Sequence, residues 1–129
     1  MDRTQEQADF LSTIIRSSTF DVGWSRERSE GNNIYEMHGS PEPYEGQDKI
    51  VRYLRYGGFV YCWGMTPRGT VDALRCDGDF VWTCDLAEEV STYNLRLEPE
   101  FEEAVLSDPK RISRLRRLLL ERHIHPAMI

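Results

Sequence analysis

FVYCWGM, TPRG, TVDALRC, DG and DFVWTC follow one another without interruption from Phe59 to Cys84. Three short runs rich in Val, Phe, Tyr and Trp are separated by two turn signals, Thr66-Pro67-Arg68-Gly69 and Asp77-Gly78. This pattern predicts a three-stranded antiparallel meander. It holds all three cysteines and two of the three tryptophans.

Side chains alternate across a sheet. Counting from the turns, with Met65 opposite Thr70 and Cys76 opposite Asp79, puts Val60, Cys62, Val71, Ala73, Phe80, Trp82 and Cys84 on one face. Phe59, Tyr61, Trp63, Met65, Leu74, Cys76 and Val81 fall on the other. Cys76 then points away from Cys62 and Cys84, which themselves sit roughly 10 Å apart or more. Zinc–sulfur bonds are about 2.3 Å long, so no single ion bridges them, and a disulfide lacks the reach. No metal site is expected. Both faces are apolar, whereas a half-wet sheet shows polar alternation. The second face needs a cover from helices, from another hairpin or from a second copy of the chain. A homodimer through the Tyr61–Trp63 face is one such cover.

Outward from the meander, Thr4 to Gln7 has the form of a capping box. Ala8, Leu11 and Ile15 then share a helical face, which predicts a helix over about 5–17. Phe20 to Trp24 alternates, as does Ile34 to His38, with a charged stretch and Glu30-Gly31-Asn32-Asn33 between them. A hairpin over 20–38 is the expectation. Ser40 to Gly46, with Pro41 and Pro43, is an extended connector. Asp48 can cap a short helix to about Tyr56, which Gly57-Gly58 stops by permitting a left-handed backbone. Asp85 to Val90 reads equally as a helical turn or a loop. Pro99 and Pro109 each stand where a helix starts. In the last helix, Ile112, Leu115 and Leu119 lie together, and Lys110, Arg114, Arg117 and Glu121 line the opposite side. The fold class is therefore α+β: one domain over 1–129, with a mostly antiparallel sheet of about five strands, an N-terminal helix, a short middle helix and a C-terminal helical pair.

Composition limits the function classes. The chain has 129 residues, is 40% apolar and 29% charged, and carries a net charge of −6. No apolar run approaches the ~20 residues of a membrane span, and Met1 to Phe10 lacks the pattern of a signal peptide, so a cytoplasmic location is expected. The acidic balance argues against general nucleic-acid binding. Charge is unevenly placed, however. Residues 108–125 carry six Lys or Arg against Asp108 and Glu121, a local charge of +4, which leaves −10 for the rest. Glu98, Glu100, Glu102 and Glu103 stand just upstream. An antiparallel pair setting that acidic helix against the basic one would neutralise both.

Catalytic chemistry has one weak candidate: His38 as a base beside Glu36 or Ser40. Ser40 lacks the GxSxG setting of a nucleophile elbow. Asp77-Gly78-Asp79 lacks the later ligands of a calcium loop. No cofactor loop is present, since Gly57-Gly58 follows a helix rather than preceding one. The leading expectation is a small acidic binding protein that acts without catalysis. Inhibitors and anti-defence proteins of mobile elements share this size and charge. Candidate contact residues are Tyr44, Tyr61, Trp63, Arg114 and Arg117. The net charge favours a basic protein partner. The alternatives are a small hydrolase or transferase near His38, and a nucleic-acid binder using the last helix.

Overall fold

The computed structural model describes residues 3–23, 39–65 and 71–124. Among these residues the order is α1 (Arg3–Ser17), β1 (Phe20–Asp21), α2 (Gln47–Tyr56), β2 (Phe59–Met65), β3 (Val71–Cys76), β4 (Phe80–Thr83), α3 (Leu86–Tyr93), α4 (Pro99–Ser107) and α5 (Arg111–Glu121). The class is α+β, and the meander β2-β3-β4 is present.

The sheet itself differs from expectation. It has four described strands in the order β1-β4-β3-β2 and is mixed. The Phe20 segment joins the meander's own sheet, and it does so in parallel: β1 lies beside β4, with Phe20 opposite Phe80 and Asp21 opposite Val81. The other half of the expected hairpin, Ile34 to His38, lies outside the described residues, as does Trp24. The physical reason is in β4, whose four residues are all buried. Backbone groups so deeply placed need partners on both edges. β3 pairs one edge, and β1 pairs the other through Phe20 N–H to Asp79 O (3.2 Å) and Val22 N–H to Val81 O (2.8 Å). The Phe20 and Phe80 rings meet edge to face at 5.6 Å.

Register bears on the face count. Between β2 and β3, Phe59 opposes Cys76 as counted, but a bulge between Val60 and Cys62 shifts the pairing by one, so Cys62 opposes Leu74 and Trp63 opposes Ala73. A one-residue shift exchanges faces. The single face expected to run from Tyr61 to Trp63 is therefore broken at the bulge. The β3–β4 turn is longer than a two-residue hairpin, since Cys76 opposes Val81. Asp77 explains this: its Oδ1 accepts the N–H of Asp79 (2.9 Å) and of Phe80 (2.8 Å), while Gly78 takes a positive φ of 106°. The change is an even number of residues, so Cys76 and Val81 stay on the same side.

Helices cover both faces. On one side α2, α3 and α4 pack Ile50, Leu54, Val90 and Phe101 against Phe80 and Trp82. Phe101 meets Phe80 at 5.0 Å and Trp82 at 5.7 Å, and the Trp82 indole N–H donates to Leu54 O at 2.9 Å. On the other side Phe59, Cys76 and Val81 are covered from within the chain by Ile14 of α1, by Leu119 of α5 and by Ile124, with Tyr61 and Leu74 partly buried beside them. Helices from both ends of the chain supply the cover that the apolar second face requires.

Several helix ends follow from local chemistry. α2 starts one residue before Asp48, after Gly46, which holds a φ of 85°. It stops where Gly57 N–H donates to Tyr53 O (2.7 Å) and Gly58 turns left-handed at φ 64°. The segment after Asp85 forms a full helix, α3, closed by Asn94 at φ 53°. α5 begins at Arg111 rather than at Pro109, with Asp108 O accepting the Arg111 N–H at 3.1 Å.

Candidate binding surface

The basic and acidic C-terminal helices do not neutralise one another as expected. The buried carboxylates are spent on other parts of the chain. Glu98 accepts the Gly23 N–H on both oxygens (3.0 and 2.7 Å). Glu102 takes a forked pair of bonds from Arg96 (3.1 and 2.7 Å) and one from the Leu97 N–H (3.0 Å). The first residue of the basic helix turns instead to the β3–β4 turn. Arg111 donates to Tyr53 Oη at 2.8 Å and to Asp77 Oδ2 at 3.1 and 3.2 Å, and it also pairs with Asp79. Asp77 is 1% exposed and Arg111 19%. Tyr53 donates its hydroxyl to Asp77 as well.

This node is electrostatically closed. Burial pushes the Tyr53 phenol far above its ordinary value, and the Asp77 charge and hydrogen bond push the same way. Burial alone would lower the Arg111 guanidinium, but Tyr53, Asp77 and Asp79 more than reverse it, so its net shift is upward. The proton stays on Tyr53 and the charge on Arg111 across the physiological range. Every partner in the node is matched by another, so it braces α2, the turn and α5 together. The sequence offered no signal for it: Asp77 reads as a turn residue and Arg111 as one of six basic residues, 34 positions apart.

Of the sequence-derived candidates, His38 and Glu36 lie outside the described residues. Ser40 is half-buried, with its N–H donating to Asn94 O at 2.9 Å. Tyr44 is held in place: its hydroxyl donates to Leu95 O (2.7 Å) and Arg96 stacks over its ring at 4.3 Å. Burial, with the nearby Glu102 charge, pushes the Tyr44 phenol up to about 12 against the pull of Arg96. Tyr61 sits at the margin of the covered core. Arg114 pairs with Asp108, whose carboxyl is lowered by that hydrogen bond. Arg117 is exposed and forms no ion pair with a described residue, Glu121 four positions on included.

α5 therefore carries an uneven surface. Of its leucines only Leu119 is fully buried, whereas Leu118 is 40% and Leu120 54% exposed. At 100° per residue, Arg117 stands in the middle of the outward arc, with Leu118 and Leu120 on its two flanks. Arg116, also exposed, reaches Tyr56 O at 3.4 Å. With Arg75 bonded to Gly57 O at 3.0 Å, it places positive charge at the C-terminal end of α2, where the helix dipole favours it. A second feature is a groove of about 580 Å³ between α2 and α3, bordered by Tyr44, Asp48, Arg52, Tyr56 and Ser91.

Among the described residues no group of three or more His, Cys, Asp or Glu is placed to hold a metal ion, and no helix is long and apolar enough to cross a membrane. The chain matches no protein-family model, no curated protein and no solved structure.

Proposed function

We propose that this chain is a small non-enzymatic binding protein that attaches to another protein through the outward arc of α5. The observation that carries the reading is the pair of exposed leucines flanking an arginine with no ion-pair partner among the described residues. A central guanidinium with an apolar side chain on each side fits a partner surface that sets a carboxylate between two apolar patches. Nucleic acid is the poorer fit, because a phosphate backbone has nothing to gain from leucine and the chain as a whole is acidic. A basic partner, favoured by net charge alone, would have to meet the chain elsewhere. Binding of this kind acts by occlusion or scaffolding, as an inhibitor does. The strongly perturbed groups Tyr53 and Arg111 are satisfied by one another, which favours a structural rather than a catalytic role for them.

The test is a pull-down from extract of the native host with three proteins: the wild type, Arg117→Glu/Leu120→Asp, and Thr13→Glu on the neighbouring helix α1. A partner held by the first and third and lost by the second, with unchanged circular dichroism, is the expected result. An identical set of captured proteins for all three would refute the reading. So would retention of DNA or RNA at low salt that is lost on Arg114→Glu/Arg117→Glu, which would move the assignment to nucleic acid.

A further inference from the structure

The groove between α2 and α3 is built by a rigid floor. Gln47 donates to Val90 O (3.1 Å) and Asn94 Oδ1 (3.0 Å) and accepts the Tyr44 N–H (3.0 Å), and Asn94 donates to Ser40 O (3.3 Å). These amides are spent on one another, so the groove is preformed and offers few backbone-like donors. Its apolar contacts are aromatic or aliphatic: Tyr44, pinned at one end, Val51 midway, and Tyr56, 52% exposed, at the other.

Along the α2 wall stand Asp48, Val51, Arg52 and Arg55, one helical stripe. Asp48 and Arg52 are exposed and make no ion pair with each other. Arg55 pairs with Glu88 at 2.8 Å, but both are exposed, and such pairs are weak and readily exchanged. The groove thus has a carboxylate at one end and guanidinium groups toward the other. From Asp48 to Arg55 the helix rises about 10 Å. A polyproline II segment repeats every three residues over about 9 Å, with positions i and i+3 on the same side. Such segments dock on aromatic-lined grooves and arrive preformed, at low entropic cost.

We propose that this groove takes a proline-rich peptide segment in the polyproline II conformation, with a cationic residue against Asp48 and an acidic residue three positions on against Arg52 and Arg55. This site is separate from the α5 surface and does not depend on it. The probe is the acetylated and amidated peptide Pro-Lys-Pro-Pro-Glu-Pro, titrated into the full-length ¹⁵N-labelled chain. Saturable shifts confined to Tyr44, α2, Ser91 and Asn94 are expected, with a Kd below about 1 mM. Replacing the two central prolines by glycine, or Asp48 by Asn, is expected to weaken binding about tenfold, while Arg117→Glu leaves it unchanged. No shift at millimolar peptide, shifts outside the groove, or equal binding of the glycine peptide would overturn the proposal.

Discussion

Arg111 joins three parts of the chain that are distant in sequence: Tyr53 on α2, Asp77 in the turn and its own helix α5. Its value lies in what it leaves behind when removed. Asp77 would remain a buried carboxylate without its cation, and breaking one side of such a pair costs about 3 kcal/mol or more. Arg111→Leu should therefore lower the urea midpoint strongly. Arg114→Leu, which breaks an exposed pair with Asp108, should scarcely move it. A second prediction belongs to Tyr44. Its phenol is raised to about 12, so through the window from about pH 10 to about 12 the unfolded chain gives up this proton while the folded chain keeps it. Stability contributed by the neutral phenol is full below about pH 10 and is lost as pH rises. Tyr53 shifts in the same direction. Urea melts across this range should show stability declining with pH, and Tyr44→Phe should flatten the decline.

At the scale of elements, the runs of Val, Phe, Tyr and Trp and the two turn signals make the meander legible in the sequence. α1, α2 and the C-terminal helices were legible from apolar spacing and from Pro99, whereas Thr4 and Asp48, read as caps, lie inside their helices. Three features were not. The parallel pairing of β1 with β4 depends on the need of the all-buried strand β4 for a second neighbour, a need that Phe20 to Val22 does not announce. The bulge after Val60 sits within an unbroken apolar run, so nothing in residue type marks the shift. Asp85 to Val90 carries too few residues for helical periodicity to be told from a loop. The candidate site fared less well. Arg117 was visible in the helix pattern, whereas Tyr44 turned out to be pinned by Leu95 and Arg96, neither of which lies near it in sequence. One prediction tests the junction of α2 and β2. A Cβ at Gly58 would lie 2.1 Å from Cys76 O, and its φ of 64° is left-handed. Gly58→Ala combines backbone strain with that clash and should cost on the order of 3 kcal/mol in chemical denaturation.

Over the whole molecule, the sheet is enclosed by α2, α3 and α4 on one side and by α1 and α5 on the other. The acidic α4 serves its neighbours through Glu102, and α5 is left with its central arginine and two leucines turned outward. If that arc is unused by the fold, Leu118→Asp and Leu120→Asp should each change stability by no more than about 0.5 kcal/mol. Leu119→Ala, which empties part of the core, should cost about 3 kcal/mol. The contrast would separate the helix into a packed side and an available one. The central claim, that the available side is where a partner protein sits, is met most directly by placing a photo-crosslinking residue at position 117 or at position 13 and irradiating cells of the native host. The account predicts a discrete protein adduct from position 117 and none from position 13. Equal or exclusive crosslinking from position 13, or no protein adduct from position 117, would contradict it.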